Sequence, residues 1–194
     1  MTPFKAFPVV ICGPSGVGKS TIIGKLQKEL DGKIALSVSH TTRKPRNNEK
    51  DGINYYFVDK EIMATAIENG EFLEHAVYSG NMYGTSKKAV EVILQENKIC
   101  VLDIEMQGVK QVKQSDLNPL YIFVNPPTLT ELEKRLRGRH TETEESVQRR
   151  LSIGKTEIEY GNMPGNFDHV FVNDNVDDTT EKILNVLMTE ANKV

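Results

Sequence analysis

The segment Gly13-Pro14-Ser15-Gly16-Val17-Gly18-Lys19-Ser20 sets two glycines, a lysine and a serine at the spacing G-x-x-x-x-G-K-[ST]. The spacing has a physical purpose. Glycines let successive backbone N–H groups crowd around a polyphosphate, the lysine adds a positive point charge, and the serine hydroxyl can ligate magnesium. Gly13 to Ser20, continued by Thr21, is therefore expected to hold a nucleoside triphosphate. The plainer reading is a glycine turn between a strand and a helix. The flanks favour the phosphate loop, because Phe7 to Cys12 reads as a buried parallel strand and Ile22, Ile23, Leu26 and Leu30 recur at helical spacing. A helix starting there turns its partial positive charge on the anion.

Thr42-Arg43-Lys44-Pro45-Arg46 packs three cations into four residues. Short charge runs are usually solvated turns. The sharper reading is a second anion clamp, since arginine's planar fork suits phosphate and a proline stiffens the turn. Asp103 and Glu105 end the apolar run Ile99 to Ile104, and period-two alternation points both to one side. Glu74, taken alone, reads as an acid on an exposed strand face.

These residues need elements to position them. Apolar strand candidates are Val9 to Cys12, Ile99 to Ile104, Leu120 to Val124 and His169 to Val172. Helical patterns alternate with them at Ser86 to Asn97, Met106 to Lys113, Thr128 to Arg137 and Asp177 to Ala191. The alternation predicts an α/β fold with a parallel core sheet flanked by helices, ligands lying at the carboxyl ends of its strands. From Leu36 to Tyr83 the pattern breaks. Strand candidates there are Leu36 to Ser39, Asn54 to Val58 and Phe72 to Tyr78, around one helix at Lys60 to Asn69. This predicts an inserted mixed lobe with antiparallel pairing. The polar stretch Gly138 to Glu145 reads as a lid. In the helix after it, Val147, Leu151, Gly154 and Ile158 form an apolar stripe, which Arg150 flanks while Arg149 lies opposite.

Bulk composition narrows the partners. The chain has 194 residues, 26% of them charged and 38% hydrophobic, which suits one globular domain. A net charge of −3 argues against a broad nucleic-acid surface. No apolar run approaches the roughly 18 residues that span a bilayer, and Met1 to Lys5 lacks a secretory layout. The two cysteines, Cys12 and Cys100, sit in apolar runs and read as buried, reduced thiols. The expectation is a cytoplasmic monomer without membrane or nucleic-acid partners. His40, His75, His140 and His169 are scattered and read as structural or surface residues, with His40 adjoining the basic turn.

The stretch Thr41 to Phe57, which reads TTRKPRNNEKDGINYYF, resembles the guanylate kinase signature throughout. Glu71-Phe72-Leu73-Glu74, Tyr83-Gly84-Thr85, Leu102 to Gly108 and Arg139 to Glu145 extend the resemblance over Val9 to Asn185. It implies a phosphate-loop NTPase fold in one domain: a core of residues 1–36 and 89–194, a GMP-binding lobe at 37–88 and a lid at 138–150. It implies the reaction ATP + GMP to ADP + GDP, with magnesium as cofactor and dGMP as a second acceptor, in purine nucleotide metabolism.

On this resemblance, Arg43, Arg46, Tyr55 and Tyr83 hold the GMP phosphate, and Arg46 also faces the transferring group. Glu74 reads guanine, with Ser39 and Thr85 as hydroxyl contacts. Asp103 and Glu105 divide magnesium and the guanine 2-amino group between them, Asp103 with Ser20 being the metal candidates. Lys19, Arg139 and Arg150 join Arg46 as catalytic cations. Arg135 and Asn173 complete the ATP side, while Arg137 and Arg149 only solubilise. Two other readings share the fold: a kinase for another nucleotide, and a non-catalytic module that binds phosphorylated partners. Such modules usually lack an intact phosphate loop and lid arginines, and this chain has both.

Overall fold

The computed structural model describes residues 4–78, 80–138 and 143–193. Five strands form the core sheet: β1 (Pro8–Cys12), β2 (Ile34–Leu36), β7 (Ile99–Asp103), β8 (Leu120–Asn125) and β9 (His169–Val172). All pair in parallel, in the order β2-β7-β1-β8-β9. The central strands are buried on both faces, so their sequences are apolar without interruption. Val9 and Ile11 of β1, with Ile99, Val101, Ile122 and Val124, face one helical layer. That layer is α1 (Lys19–Glu29) and α7 (Val176–Ala191), through Ile22, Leu26, Ile183 and Leu187. Val10 and Cys12, with Cys100, Leu102 and Phe123, face the other layer. There α3 (Lys87–Gln95) and α4 (Met106–Val112) contribute Val90, Val109 and Val112. A third cluster, Leu132, Leu136, Val147 and Leu151, joins α5 (Leu129–Arg137) to α6 (Glu144–Asn162).

The second sheet carries β3 (His40–Thr41), β4 (Tyr56–Phe57), β5 (Phe72–Tyr78) and β6 (Asn81–Ser86) in the order β4-β3-β6-β5, with α2 (Lys60–Glu68) before β5. Three expectations need correction. The strand Leu36 to Ser39 is split, because the chain passes there from one sheet to the other. β2 ends at Leu36, Ser37 N–H still donates to Val101 O of the core (2.8 Å), and Ser39 O already accepts from Tyr56 N–H of the second sheet (2.9 Å). The strand Asn54 to Val58 shrinks to Tyr56–Phe57, and it pairs with β3 in parallel rather than antiparallel fashion. β6 is absent from the sequence reading, yet it is an inner strand, antiparallel to both β3 and β5. Its sequence NMYGTS has no apolar alternation to announce it.

Helix starts follow local chemistry. Ser86, Thr128, Thr143 and Asn175 cap α3, α5, α6 and α7, each accepting from a backbone N–H of the first turn. α6 packs closely on β8 at Gly161, where an added Cβ would sit 2.3 Å from the buried Phe123 ring. Neither the ring nor the helix can withdraw without opening the core. Gly161→Ala is therefore expected to lose about 1–3 kcal/mol of stability. Urea denaturation measures this, and an unchanged midpoint would contradict the packing argument.

Candidate active site

α1 departs from the capping pattern. Its N-cap is Gly18, at φ 107°, with no side-chain cap. That backbone conformation suits glycine, and an added Cβ would come within 2.6 Å of Asn173 Nδ2. The first N–H groups of α1 thus have no capping side chain, as an anion site at a helix start requires. Lys19 folds back over its own loop. Its Nζ donates to Gly13 O (2.7 Å) and lies 3.8 Å from Asp103 Oδ1 at the end of β7.

The loop is braced from behind. Val17 O accepts from Asn173 Nδ2 (2.7 Å) and from an Arg135 guanidinium N–H (3.3 Å). Asn173 is 3% exposed, and its buried Oδ1 has no hydrogen-bond partner among the described residues. Arg135 also pairs with Glu131 one turn earlier on α5. Arg150 reaches from α6 to donate to Ser15 Oγ (2.8 Å). Arg139 lies outside the described residues. Arg137 does more than solubilise: it pairs with Glu133 on its own helix and with Glu144 at the start of α6. Arg149 is exposed, and its guanidinium stands 5.9 Å from the Tyr78 ring centroid.

Next to Asp103, a cavity of about 290 Å3 opens between the sheets, lined by Ser39, Tyr55, Glu74, Tyr83, Asp103 and Glu105. The side chains come from both sheets. Glu74 on β5 is 8% exposed and stands opposite Thr85 of β6. Burial pushes its carboxyl above the usual range, against the opposing hydrogen bonds of the Thr85 hydroxyl and N–H. α4 comes close to Glu74 only because residue 108 is glycine, where an added Cβ would lie 2.9 Å from Glu74 Oε2. Gln111 of α4 then stitches the edge of β5, accepting from His75 N–H (3.0 Å) and donating to His75 O (2.8 Å). This edge is thereby covered.

The basic turn carries its own counter-ion. Arg43 makes a bidentate pair with Glu49 (2.9 Å to each oxygen), and Glu49 also accepts from Arg46 N–H (2.7 Å). Hydrogen bonds from Arg43 and Arg46 hold the Glu49 carboxyl below its usual range. Arg43 also stacks 5.4 Å from the Tyr55 ring centroid. Burial raises the Tyr55 hydroxyl pKa above its ordinary value. The Arg46 side chain is exposed on the same turn.

The donor set suits magnesium. Ser20 is an exposed hydroxyl at the start of α1 and Asp103 a partly exposed carboxylate, both hard oxygen ligands. Among the described residues no group of three or more His, Cys, Asp or Glu could hold a metal.

Glu49, Gln111 and Glu157 hold or adjoin the candidate site residues, and sequence reading left all three unassigned. For Glu49 the signal is an acid three residues after Arg46, within one turn. For Glu157 it is an acid three residues after Gly154 on the buried stripe of α6. The stripe runs through Val147, Leu151, Gly154, Glu157 and Gly161, while the expected Ile158 is only half-buried. Burial pushes the Glu157 carboxyl up to about 7, with Lys19 opposing and Glu105 reinforcing the shift. The folded protein then binds the extra proton between the unfolded value near 4.5 and about 7. Stability from this group is full below that window, falls as pH rises through it, and is lost above it. Glu157→Gln should accordingly be more stable than the parent at pH 8 by about 1–3 kcal/mol, the gap closing toward pH 4.5. Thermal melts across pH 4.5–8 read this, and a constant gap would refute the burial argument.

The guanylate kinase family model matches residues 5–190. Guanylate kinases of Sus scrofa and Homo sapiens are each 50% identical over 186 residues, covering 96% of this chain and 94% of theirs. The crystal structure of guanylate kinase from Anaplasma phagocytophilum superposes with a TM-score of 0.74 at 31% identity, covering 100% of this chain and 89% of that one. The SH3-kinase fragment of tight junction protein 3 has a TM-score of 0.56 at 12% identity, covering 98% of this chain and 59% of that one, and shares the fold alone. With the match running through both sheets, the phosphate-loop pattern and the basic turn, the chain belongs to the guanylate kinase family.

Proposed function

We propose that the chain transfers the terminal phosphoryl group of ATP in line to GMP, and to dGMP, yielding ADP and the diphosphate. One observation carries the reading. The cavity holding the buried Glu74 carboxylate is bounded by Asp103, which lies 3.8 Å from the phosphate-loop lysine. A base-reading pocket and a triphosphate loop thus share a wall.

Guanine presents N1–H and the 2-amino group side by side, the two donors that a buried carboxylate lacks. Adenine offers an unprotonated N1 there and repels it. Ser39 and Thr85 add hydroxyls, and Glu105 extends the acidic wall. The acceptor phosphate lies on Arg43, Arg46, Tyr55 and Tyr83, so residues 37–88 act as the GMP-binding lobe. Its second pKa is near ~6. The attacking oxygen is therefore already ionised at neutral pH, and no general base is needed. The remaining obstacle is the repulsion of two anions. Lys19, Arg46, Arg139 and Arg150 neutralise it while the loop from Gly13 to Thr21 aligns the donor. Arg135 and Asn173 act by holding Val17 in place. Ser20 and Asp103 would hold magnesium, which supplies further charge neutralisation on the phosphates when bound. The lid expected at 138–150 includes residues 139–142, which lie outside the described residues, and the chain works as a cytoplasmic monomer in purine nucleotide metabolism.

Coupled ADP release with GMP, dGMP, AMP, IMP and UMP tests the substrate. Guanine nucleotides are expected to dominate by several orders of magnitude, and comparable turnover of AMP would sink the role of Glu74. Arg46→Ala is expected to lower turnover by on the order of 10²–10³-fold with ATP affinity nearly unchanged. Retained activity would remove Arg46 from the transfer step.

A further inference from the structure

α4 meets β5 at two consecutive residues of the strand. Gly108 and Gln111 stand three apart on α4, so they share one face of the helix. Gly108 faces Glu74, where an added Cβ would lie 2.9 Å from Oε2 and 3.3 Å from Cγ. Gln111 faces the next residue, His75. Its side-chain amide bonds both backbone groups there, accepting from the N–H (3.0 Å) and donating to the carbonyl oxygen (2.8 Å). The opposite amide orientation would set donor against donor. Gln111 thus stands in for the neighbouring strand that β5, at the edge of its sheet, lacks. Just before this contact the pairing of β5 with β6 shifts register, from Phe72 opposite Ser86 to Glu74 opposite Thr85. A bulge of this kind re-aims the side chains beside it. Glu74 therefore sits between an irregularity on one side and a pinned peptide unit on the other.

We propose that Gln111 is a positioning residue for base discrimination: its paired hydrogen bonds to the His75 backbone hold the adjacent Glu74 carboxylate where both its oxygens meet the base. Packing at Gly108 sets how close Glu74 lies to α4, and the Gln111 bonds set where along the helix it lies. Two parallel hydrogen bonds, to N1–H and to the 2-amino group, need the carboxylate in line with the base edge. A single one tolerates a small displacement, because hydrogen bonds weaken steeply only at large misalignment. Loss of Gln111 is thus felt by GMP more than by IMP, whose base keeps N1–H but has no 2-amino group. Both bonds lie at an exposed edge, where water can take the place of the amide. Their removal therefore costs alignment more than stability. The inference rests on the proposal that guanine occupies the Glu74 cavity.

The test measures kcat/KM for GMP and for IMP, and the ATP KM, in the parent, Gln111→Met, Gln111→Ala and Glu74→Gln, with melting temperatures recorded alongside. Methionine matches glutamine in length, suits a helix and makes neither bond. Gln111→Met should lower the preference for GMP over IMP roughly tenfold, mainly through the GMP KM, while the ATP KM stays within about twofold. Gln111→Ala should do the same, and it carries the test should the methionine variant not fold. A preference unchanged within about twofold overturns the proposal, even where both nucleotides lose activity together, since a merely structural role would lower both alike. Glu74→Gln separates the two levels. Loss of the preference there with none in Gln111→Met rejects the role of Gln111 alone. A preference retained in Glu74→Gln rejects the guanine placement itself.

Discussion

Parallel pairing ends four core strands on one edge, and the rest of the structure depends on that alignment. β1 delivers the phosphate loop, β7 delivers Asp103 and Glu105, β8 ends at Asn125, and β9 leads into Asn173. Side chains far apart in sequence therefore meet without any long loop having to be ordered. The apolar layers on both faces hold the edge rigid, which is why Lys19 and Asp103 can face each other across adjacent strands. The second sheet has no comparable core. It borrows rigidity from α4 through the Gln111 bonds to β5 and the close approach at Gly108.

The cations of the site are held by partners that phosphate oxygens can replace. Arg43 has Glu49, Lys19 has Gly13 O and Asp103, and Arg150 has Ser15. Lys19–Asp103 is a partly exposed pair, and pairs of that kind contribute little net stability. On the proposed function, a bound polyanion would take over the cations' bonds from their present partners. Glu49 also keeps Arg43 and Arg46 on one turn despite their like charge.

How much of this was readable from sequence depended on how local the signal was. The core strands were legible because burial on both faces leaves continuous apolar runs. The phosphate loop and the basic turn were legible because their chemistry lies within eight residues or fewer. The second sheet was legible in part: β5 coincides with the expected Phe72 to Tyr78 and pairs antiparallel with β6, whereas β3 and β4 are two residues each and owe their existence to partners distant in the chain. β6 is polar and becomes a strand only between β3 and β5. Asn173 and Arg135 were picked out, but their place behind Val17 follows from how β9 and α5 pack on the loop. Glu157 was hidden beside the apolar stripe of Val147, Leu151, Gly154 and Ile158, which the structure keeps while also burying the acid next to it.

Cys12 and Cys100 lie in β1 and β7, fully buried, and desolvation pushes each thiol up to about 12. Neither is a thiolate at neutral pH, and a reagent cannot reach them from solvent. Labelling then requires the central sheet to open, so the rate at which each sulfur reacts counts openings of its own strand. In a chain with no tryptophan, these thiols are native timers of core breathing, and neither is among the residues assigned to the nucleotide chemistry above them.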